Sequence, residues 1–292
     1  MKKQTAAFMR LIGAMGIFGT IGIFVRYIPL PSGVIALARG IIGSIFLLLA
    51  MLCTRKGINK DAIHKNLPLL LISGGCIGLN WVLLFESYRF TTVATATLCY
   101  YMAPLFVVIA SPFLLKEKLT VKKSLCVLVA LVGMVFVSGV LQTGIGSFAE
   151  LRGVLLGLGA ALLYASVVLM NTKIKNIGAY DKTVVQLAAA AAVMIPYCLL
   201  AECGTSLAIS STAWILLIIV GIVHTGFAYA MYFGAMQSIP AQTTAIFSYT
   251  DPIIAVILSA TVLKEPFTVY TAIGAMLVLG AALISELPEK YK

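Results

Sequence analysis

The chain alternates long apolar stretches with short polar connections over almost its whole length. Ten stretches of about 20 residues contain few charges, and they cover approximately residues 8 to 27, 32 to 53, 67 to 89, 92 to 114, 121 to 140, 152 to 171, 183 to 201, 212 to 236, 241 to 263 and 268 to 286. A helix of about 20 apolar residues spans the hydrocarbon core of a bilayer, which is roughly 30 Å thick. The pattern therefore predicts an all-α integral membrane protein with ten transmembrane helices and no soluble domain.

The composition supports this interpretation and excludes other classes of protein. Of the 292 residues, 61% are hydrophobic and only 11% are charged, which is too little polar surface for a soluble globule of this length. The formal net charge is +11, but the basic residues lie in short clusters between apolar runs, so no nucleic-acid partner is expected. The six cysteines lack CxxC spacing, and we expect neither a metal site nor a cofactor.

The distribution of lysine and arginine between the connections predicts the orientation. With a cytoplasmic amino terminus, sixteen of the 21 basic residues face the cytoplasm, four face outward, and Arg39 lies within the second stretch. The seventh stretch is the least apolar. Omitting it gives a nine-helix alternative with fifteen basic residues inside and five outside, so charge alone does not decide the number of helices. For ten helices, we expect a protein of the cytoplasmic (inner) cell membrane with both termini in the cytoplasm.

An internal repeat favours ten helices over nine. Residues 71–120 and 219–268 align without a gap at an offset of 148 positions, with twelve identities, and both copies contain the sequence Leu-Lys-Glu. The repeat divides the chain into two halves of five helices, residues 1–140 and 152–286. Because five is an odd number, two similar halves must have opposite orientations in the membrane. The sequence therefore predicts two inverted five-helix repeats, an architecture that many secondary transporters share.

The repeat also resembles the EamA branch of the drug/metabolite transporter superfamily. The resemblance in the first copy lies at residues 94–98, 101–104, 114–120 and Gly133, and in the second copy at Pro252, Lys264, Glu265 and Thr268. It implies a ten-helix transporter with a central cavity lined mainly by helices 1, 3, 4, 6, 8 and 9, and it favours export over import. The tryptophan that usually precedes a glycine in the first helix of the family is Phe18 here.

Polar and aromatic residues at middle depth in the helices that this resemblance assigns to the cavity are candidates for substrate binding. They are Asn80, Trp81, Tyr100, Tyr101, Tyr164, Tyr232, Ser248 and Tyr249. A wall of tyrosines with few charges suits a small, partly apolar solute such as an amino acid or another metabolite. The alternative is ordinary packing in the core. Pro104 and Pro252 are expected to break their helices, because proline removes a backbone hydrogen bond.

Asp251 and His224 are the candidates for coupling transport to protons. Asp251 lies roughly 15 Å deep in the ninth stretch, where a lone carboxylate is costly and often functional. Its counterpart in the repeat is Ala103, so the carboxylate breaks the internal symmetry. His224 lies at a similar depth in the eighth stretch, and the two side chains could meet across the hairpin. The alternatives are an aspartate that caps the helix break and a histidine bonded to a backbone carbonyl.

The remaining charged residues and motifs indicate no catalytic chemistry. Arg39 is expected to pair with Glu86 and to lock the second helix to the third. The sequence contains no GxxxxGK[ST] phosphate loop, no HExxH motif and no GxGD-type pair of intramembrane aspartates, so we expect neither ATP hydrolysis nor protease activity, and no enzyme.

The sequence as a whole predicts a secondary transporter of a small metabolite. We expect an exporter that works in the lipid bilayer as a monomer or weak dimer, with protons as the candidate coupling ion. A non-transporting membrane sensor or scaffold is the alternative, although such a protein would normally carry a soluble output module, and the sequence shows none.

Overall fold

A computed structural model shows a bundle of helices. It describes residues 2–53, 57–114, 120–138, 141, 148–202, 210–236, 238–239, 244 and 247–287, and this part of the chain contains no β-strand. The helices are α1 (Lys2–Arg26), α2 (Ser32–Cys53), α3 (Lys60–Phe90), α4 (Val93–Tyr100), α5 (Ala103–Leu114), α6 (Val121–Val137), α7 (Phe148–Lys173), α8 (Ala179–Ala201), α9 (Ser211–Ile219), α10 (Ala228–Met236), α11 (Thr250–Thr261) and α12 (Val269–Glu286). A π-helical segment, Val220–Phe227, joins α9 to α10.

The lengths and outer surfaces of the helices identify a multi-pass membrane protein. In the described part of the chain, seven helical segments are long and apolar enough to cross a bilayer, namely Thr5–Arg26, Ser32–Cys53, Lys60–Phe90, Val93–Leu114, Phe148–Lys173, Ala179–Ala201 and Ser211–Met236. Thr250–Thr261 and Val269–Ser285 are apolar but shorter. The outer faces carry large apolar side chains such as Leu52 and Leu200, which are 61% and 84% exposed. Faces of this kind are stable against lipid and not against water.

Each of the ten apolar stretches of the sequence overlaps a described helix. The fourth stretch is divided between α4 and α5, and the fifth corresponds to α6. In the ninth stretch, residues 241–243 and 245–246 lie outside the described residues, as does Glu117 of the first Leu-Lys-Glu sequence. The number of ten transmembrane helices, their inversion and the boundaries of the two halves stay predictions.

The helices α6 and α12 begin with the same cap. Thr120 Oγ1 accepts a hydrogen bond from the backbone N–H of Lys123 at 3.3 Å, and Thr268 Oγ1 accepts one from Thr271 at 3.2 Å. Such caps satisfy N–H groups in the first turn that have no partner within the helix. Thr120 and Thr268 are equivalent positions of the internal repeat, so the repeat preserves the residue type that starts these two helices.

The packing of the helices joins the two halves of the chain. The helix α2 packs on α8, and α6 packs on α12. The helix α3 packs on α7 and α8, while α1 packs on α10 and α11. The helix α7 also contacts α4 and α5. A buried cluster that includes Leu47, Trp81, Phe85 and Met194 fills the space between α2, α3 and α8.

Glycine residues allow the closest approach between α6 and α12. A Cβ atom on Gly274 would lie 2.5 Å from Val137 Cγ2 and 2.7 Å from the carbonyl oxygen of Gly133. A Cβ atom on Gly133 would lie 2.8 Å from Leu277 Cβ. Because the backbone oxygen of Gly133 and the Cβ atom of Leu277 cannot move aside as the end of a flexible side chain can, a side chain at either glycine would push the helices apart.

Replacement of Gly274 by alanine should therefore destabilise the protein by about 1–3 kcal/mol, the usual cost of overpacking. Gly280 lies on the same helix and has no atom within 4 Å of the position that its Cβ would take, so Gly280→Ala is the matched control. Thermal unfolding in detergent should give a lower midpoint for Gly274→Ala and a midpoint at or above the wild-type value for Gly280→Ala. Equal midpoints for the two variants would contradict the close contact of α6 with α12.

Candidate functional site

A cavity of about 430 Å³ lies inside the helix bundle. This volume is within the usual range of pockets that hold small molecules. Nine of the residues singled out in the sequence line it, namely Trp81, Tyr100, Tyr101, Pro104, Tyr164, Tyr232, Ser248, Tyr249 and Asp251. The structure thus brings most of the candidate residues together, and their roles in binding stay a prediction.

The wall also contains residues that were not candidates, including Phe18, Arg39, Tyr88 and Thr97, and it contains Tyr229, another aromatic residue at middle depth. Phe18 occupies the position of the tryptophan that is usual in the resembling family, which is the signal that could have identified it. Its ring meets those of Tyr229 and Tyr232 edge to face, with centroids 5.4 and 6.4 Å apart. Aromatic side chains from α1 and α10 therefore form one continuous side of the cavity.

Two helix breaks meet at the cavity. The helix α4 ends at Tyr100, the chain turns at Tyr101, and α5 begins at Ala103, directly before Pro104. The helix α11 likewise follows a turn at Tyr249 and contains Pro252 in its first turn. Proline is tolerated there because the first N–H groups of a helix have no partner within it. The rings of Tyr101 and Tyr249, which are equivalent in the repeat, lie 5.9 Å apart.

Asp251 faces the cavity from the first turn of α11. Its Oδ2 accepts a hydrogen bond of 2.8 Å from the hydroxyl of Tyr101, and that hydroxyl also lies 3.3 Å from the carbonyl oxygen of Ser248. Close packing of α1 depends on Gly19, because a Cβ atom there would lie 2.7 Å from the carbonyl oxygen of Asp251. Within the described part of the chain, no basic side chain forms an ion pair with Asp251.

Arg39 lies on the cavity wall and does not pair with Glu86, contrary to the expectation from the sequence. Its Nε donates a hydrogen bond to Thr225 Oγ1 at 2.9 Å, and its guanidinium carbon lies 4.1 Å from the ring centroid of Trp81. Glu86 is bound elsewhere, because its Oε1 accepts from Arg89 and from Ser32 at 3.0 and 2.7 Å. The helix α2, which the family resemblance placed at the periphery, thus contributes a charge to the cavity.

His224 does not meet Asp251 in this structure. It lies in the π-helical segment, its Nε2 forms a hydrogen bond with Thr20 Oγ1 at 2.8 Å, and its ring packs against Phe24 with centroids 4.6 Å apart. The residue is buried and is not part of the cavity wall. The predicted pairing of an imidazole with a carboxylate across the hairpin is therefore not observed.

Asn80 also lies outside the cavity wall. Its Nδ2 donates a hydrogen bond of 2.5 Å to the carbonyl oxygen of Ala160, which ties α3 to α7. Its side chain is buried, and a buried amide of this kind needs a partner within the protein. The observed position favours a structural role for Asn80 over contact with a substrate.

Two glutamates join helix ends at the end of the bundle where α1 ends and α2 begins, which we call the α1–α2 end. Glu265 Oε2 accepts from the backbone N–H of Val93 at 2.8 Å and from Ser259 Oγ, and Oε1 lies 3.6 Å from Arg26 Nη2. The Glu202 carboxylate accepts from the N–H groups of Gly33 and the following residue at 2.9 and 3.1 Å. Carboxylates at helix N-termini are stabilising because they bond to free N–H groups and interact well with the helix dipole.

The described residues contain no group of three histidine, cysteine, aspartate or glutamate side chains that could hold a metal ion. The residues that line the cavity are mostly aromatic or apolar, and they include one carboxylate, Asp251, and one guanidinium, Arg39. The two charges lie on helices from different halves of the chain, α11 and α2.

Comparisons with known proteins relate the chain to uncharacterized transporters and to a solved structure of the same fold. Bacillus subtilis (strain 168) has an uncharacterized transporter, YxxF, that is 27% identical over 293 residues, which cover 100% of this chain and 93% of the relative. A second one, YetK, is 26% identical over 304 residues, covering 99% of this chain and 89% of the relative. A crystal structure with 18% sequence identity shares the fold, with a TM-score of 0.65 and coverage of 96% of both chains.

The family comparison covers nearly the whole chain. The model of the EamA-like transporter family matches residues 5–139 and matches again at residues 151–286. These two segments contain every residue of the cavity wall. The chain therefore belongs to the EamA-like transporter family.

Proposed function

We propose that this protein is a secondary active transporter that exports a small, partly apolar, amino acid-like metabolite across the cytoplasmic membrane. It works by alternating access, with ten transmembrane helices arranged as two inverted five-helix repeats. The observation that carries the proposal is the cavity of about 430 Å³ at which the breaks of α4/α5 and α11 meet. Discontinuous helices surround the substrate site in many secondary transporters, because a break exposes backbone groups and flanking side chains to the solute.

The packing of the helices supports two equivalent halves, and five helices in each half make their orientations opposite. Exchange of the two halves converts α1 into α7, α3 into the helix that ends with α10, and α5 into α11. The contact of α3 with α7 then corresponds to the contact of α10 with α1, and the contact of α1 with α11 corresponds to that of α7 with α5. The exchange swaps α2 with α8 and α6 with α12, so each of these two contacts stays the same contact. A pseudo-twofold axis between the halves produces this set of equivalences.

The aromatic wall supports a solute that is partly apolar. The rings of Tyr100 and Tyr164 lie 5.4 Å apart, and those of Tyr229 and Tyr232 pack around Phe18. Aromatic faces contribute a large apolar contact area, while the phenolic hydroxyl groups can bond to polar atoms of a solute. This combination suits a metabolite with an apolar body and a few polar groups.

Asp251 is the proposed proton carrier. Its described hydrogen bond is from a neutral donor, Tyr101, so a proton or a cationic group can supply the compensating charge. A carboxylate on the wall of a cavity can exchange its proton with whichever side the cavity faces. Substrate transport is coupled to proton movement when binding of the substrate in the cavity changes the affinity of Asp251 for its proton. His224 bonds to Thr20 and takes no part in this proposal.

Alternating access requires that the α1–α2 end opens in another state. In the present state, Glu265 joins the end of α1 to the start of α4 through Arg26 and Val93. These contacts must separate when the cavity opens at this end. Hydrogen bonds and ion pairs suit such a contact better than a large apolar interface, because water can replace them when they separate.

Flux measurements in proteoliposomes test the proposed function. Uptake of radiolabelled L-phenylalanine and L-leucine should require the protein and should increase when a pH gradient is imposed. In Asp251→Asn, the pH gradient should no longer stimulate uptake, because an amide cannot release a proton, while exchange at equal pH should continue. Asp61 is exposed in the first turn of α3, and Asp61→Asn should behave like the wild type.

Two results would contradict the proposal. Binding of either amino acid without any flux would favour a sensor over a transporter. Uptake by Asp251→Asn with its full dependence on the pH gradient would exclude Asp251 as the proton carrier.

A further inference from the structure

The guanidinium of Arg39 is held rigidly on the cavity wall. Arg39 is only 4% exposed, and its guanidinium lies over the ring of Trp81, with Phe85 next to it at 5.4 Å. Thr225 Oγ1 accepts the hydrogen bond from Nε and lies 3.1 Å from the carbonyl oxygen of Val220, to which it can donate. Thr225 and Val220 are five residues apart and both lie in the π-helical segment. The stack and the hydrogen bond together fix the plane of the guanidinium.

The terminal nitrogens of Arg39 have no protein partner in the described part of the chain. The ion pairs described are Arg26 with Glu265 and Arg89 with Glu86, and the side-chain hydrogen bond of Arg39 is made by Nε alone. A guanidinium stays charged in proteins, and a buried charge without a counterion is costly. Its N–H groups form a planar fork that matches the two oxygens of a carboxylate. Arg39 is therefore oriented for a carboxylate that the described protein does not supply.

We propose that Arg39 binds a carboxylate of the transported solute, so that the substrates of this transporter are carboxylate-bearing metabolites. The inference rests on the proposed function and names the substrate class of the same cavity. Asp251 also lies on the wall and does not form an ion pair with Arg39. Arg39 can thus take the carboxylate of an amino acid, while Asp251 remains available for its ammonium group or for a proton.

This assignment divides the work of the cavity between three kinds of group. Arg39 selects the carboxylate, the aromatic wall selects the apolar body, and Asp251 responds to positive charge. Specificity of this kind is strong, because a solute without the carboxylate leaves the buried guanidinium unpaired. A cation such as phenethylamine should therefore bind poorly even though its ring fits the aromatic wall.

Binding of four matched probes to the purified full-length protein tests the inference. L-phenylalanine and 3-phenylpropionate carry a carboxylate, whereas L-phenylalaninamide and phenethylamine do not. The wild type should bind L-phenylalanine at least about tenfold more tightly than its amide, as expected for a charge-assisted bidentate contact. 3-Phenylpropionate should also bind more tightly than phenethylamine. Equal binding within either pair, or no binding of the two acids, would overturn the inference.

Variants of Arg39 identify the residue responsible. Arg39→Gln should remove the preference for the acids, and Arg39→Lys, which keeps the charge without the planar fork, should reduce it. Arg152 is the control, because its guanidinium is stacked on Phe90 at 4.2 Å outside the cavity, and Arg152→Gln should keep the preference. If Arg39→Gln does not fold, the inference is tested with Arg39→Lys. An unchanged preference of Arg39→Lys for the two acids would overturn the inference.

Flux separates this inference from the proposed function. Carboxylate-selective binding that depends on Arg39 but is not accompanied by flux would contradict transport and leave the role of Arg39 standing. Flux of L-phenylalanine whose selectivity does not change in the Arg39 variants would contradict the role of Arg39 alone.

Discussion

In a bundle whose outer faces are apolar, each buried polar group must find its partner inside the protein or across a hydrated cavity. Most described polar groups follow the first route, as Asn80 does with the carbonyl oxygen of Ala160. Asp251 and Arg39 each have a hydrogen-bond partner inside the protein, but each also faces the cavity. The hydrogen bond between Tyr101 and Asp251 holds the carboxylate at the helix break, and Thr225 together with Trp81 holds the guanidinium. Two opposite charges therefore share one cavity without pairing, and the proposed chemistry follows from their separation.

The backbone around the cavity serves this arrangement. The breaks before Pro104 and Pro252 bring Tyr101 and Tyr249 together, and Gly19 lets α1 reach the backbone of Asp251. The π-helical segment places Thr225 beside Arg39. Deviations from regular helical structure of this kind are often found at functional sites, where they direct a side chain or expose a backbone group. Here they converge on one cavity and on the two charges that face it.

Much of the fold could be predicted from the sequence because lipid imposes simple rules. Apolar stretches of sufficient length had to be helices, whereas the shared caps at Thr120 and Thr268 became apparent only in the structure. The interior was harder, since a helix that is apolar on nearly all sides gives little indication of which face is buried. Asn80 was assigned to the cavity for this reason, although it bonds to α7.

Contacts between residues far apart in the chain were also not predicted from the sequence. The partner of Arg39 depends on a π-helical segment that no local pattern indicated, and Glu202 caps a helix that begins about 170 residues earlier in the chain. By contrast, the aromatic residues named at middle depth do line one cavity, and their roles in binding stay a prediction. The family resemblance therefore indicated which helices surround the cavity, while the place of Arg39 on its wall and the contacts at the α1–α2 end required the tertiary structure.

The central claim, a cavity that opens to each side in turn, is tested most directly by the accessibility of a single cysteine. In a protein without its six native cysteines, Val168→Cys would place a thiol on the cavity wall, and Leu155→Cys would place one on the exposed apolar face of the same helix. A membrane-impermeant maleimide should label the Val168→Cys protein from either face of the membrane and should not label the Leu155→Cys protein. Labelling of the Val168→Cys protein from one face only, under every substrate and pH condition, would contradict alternating access.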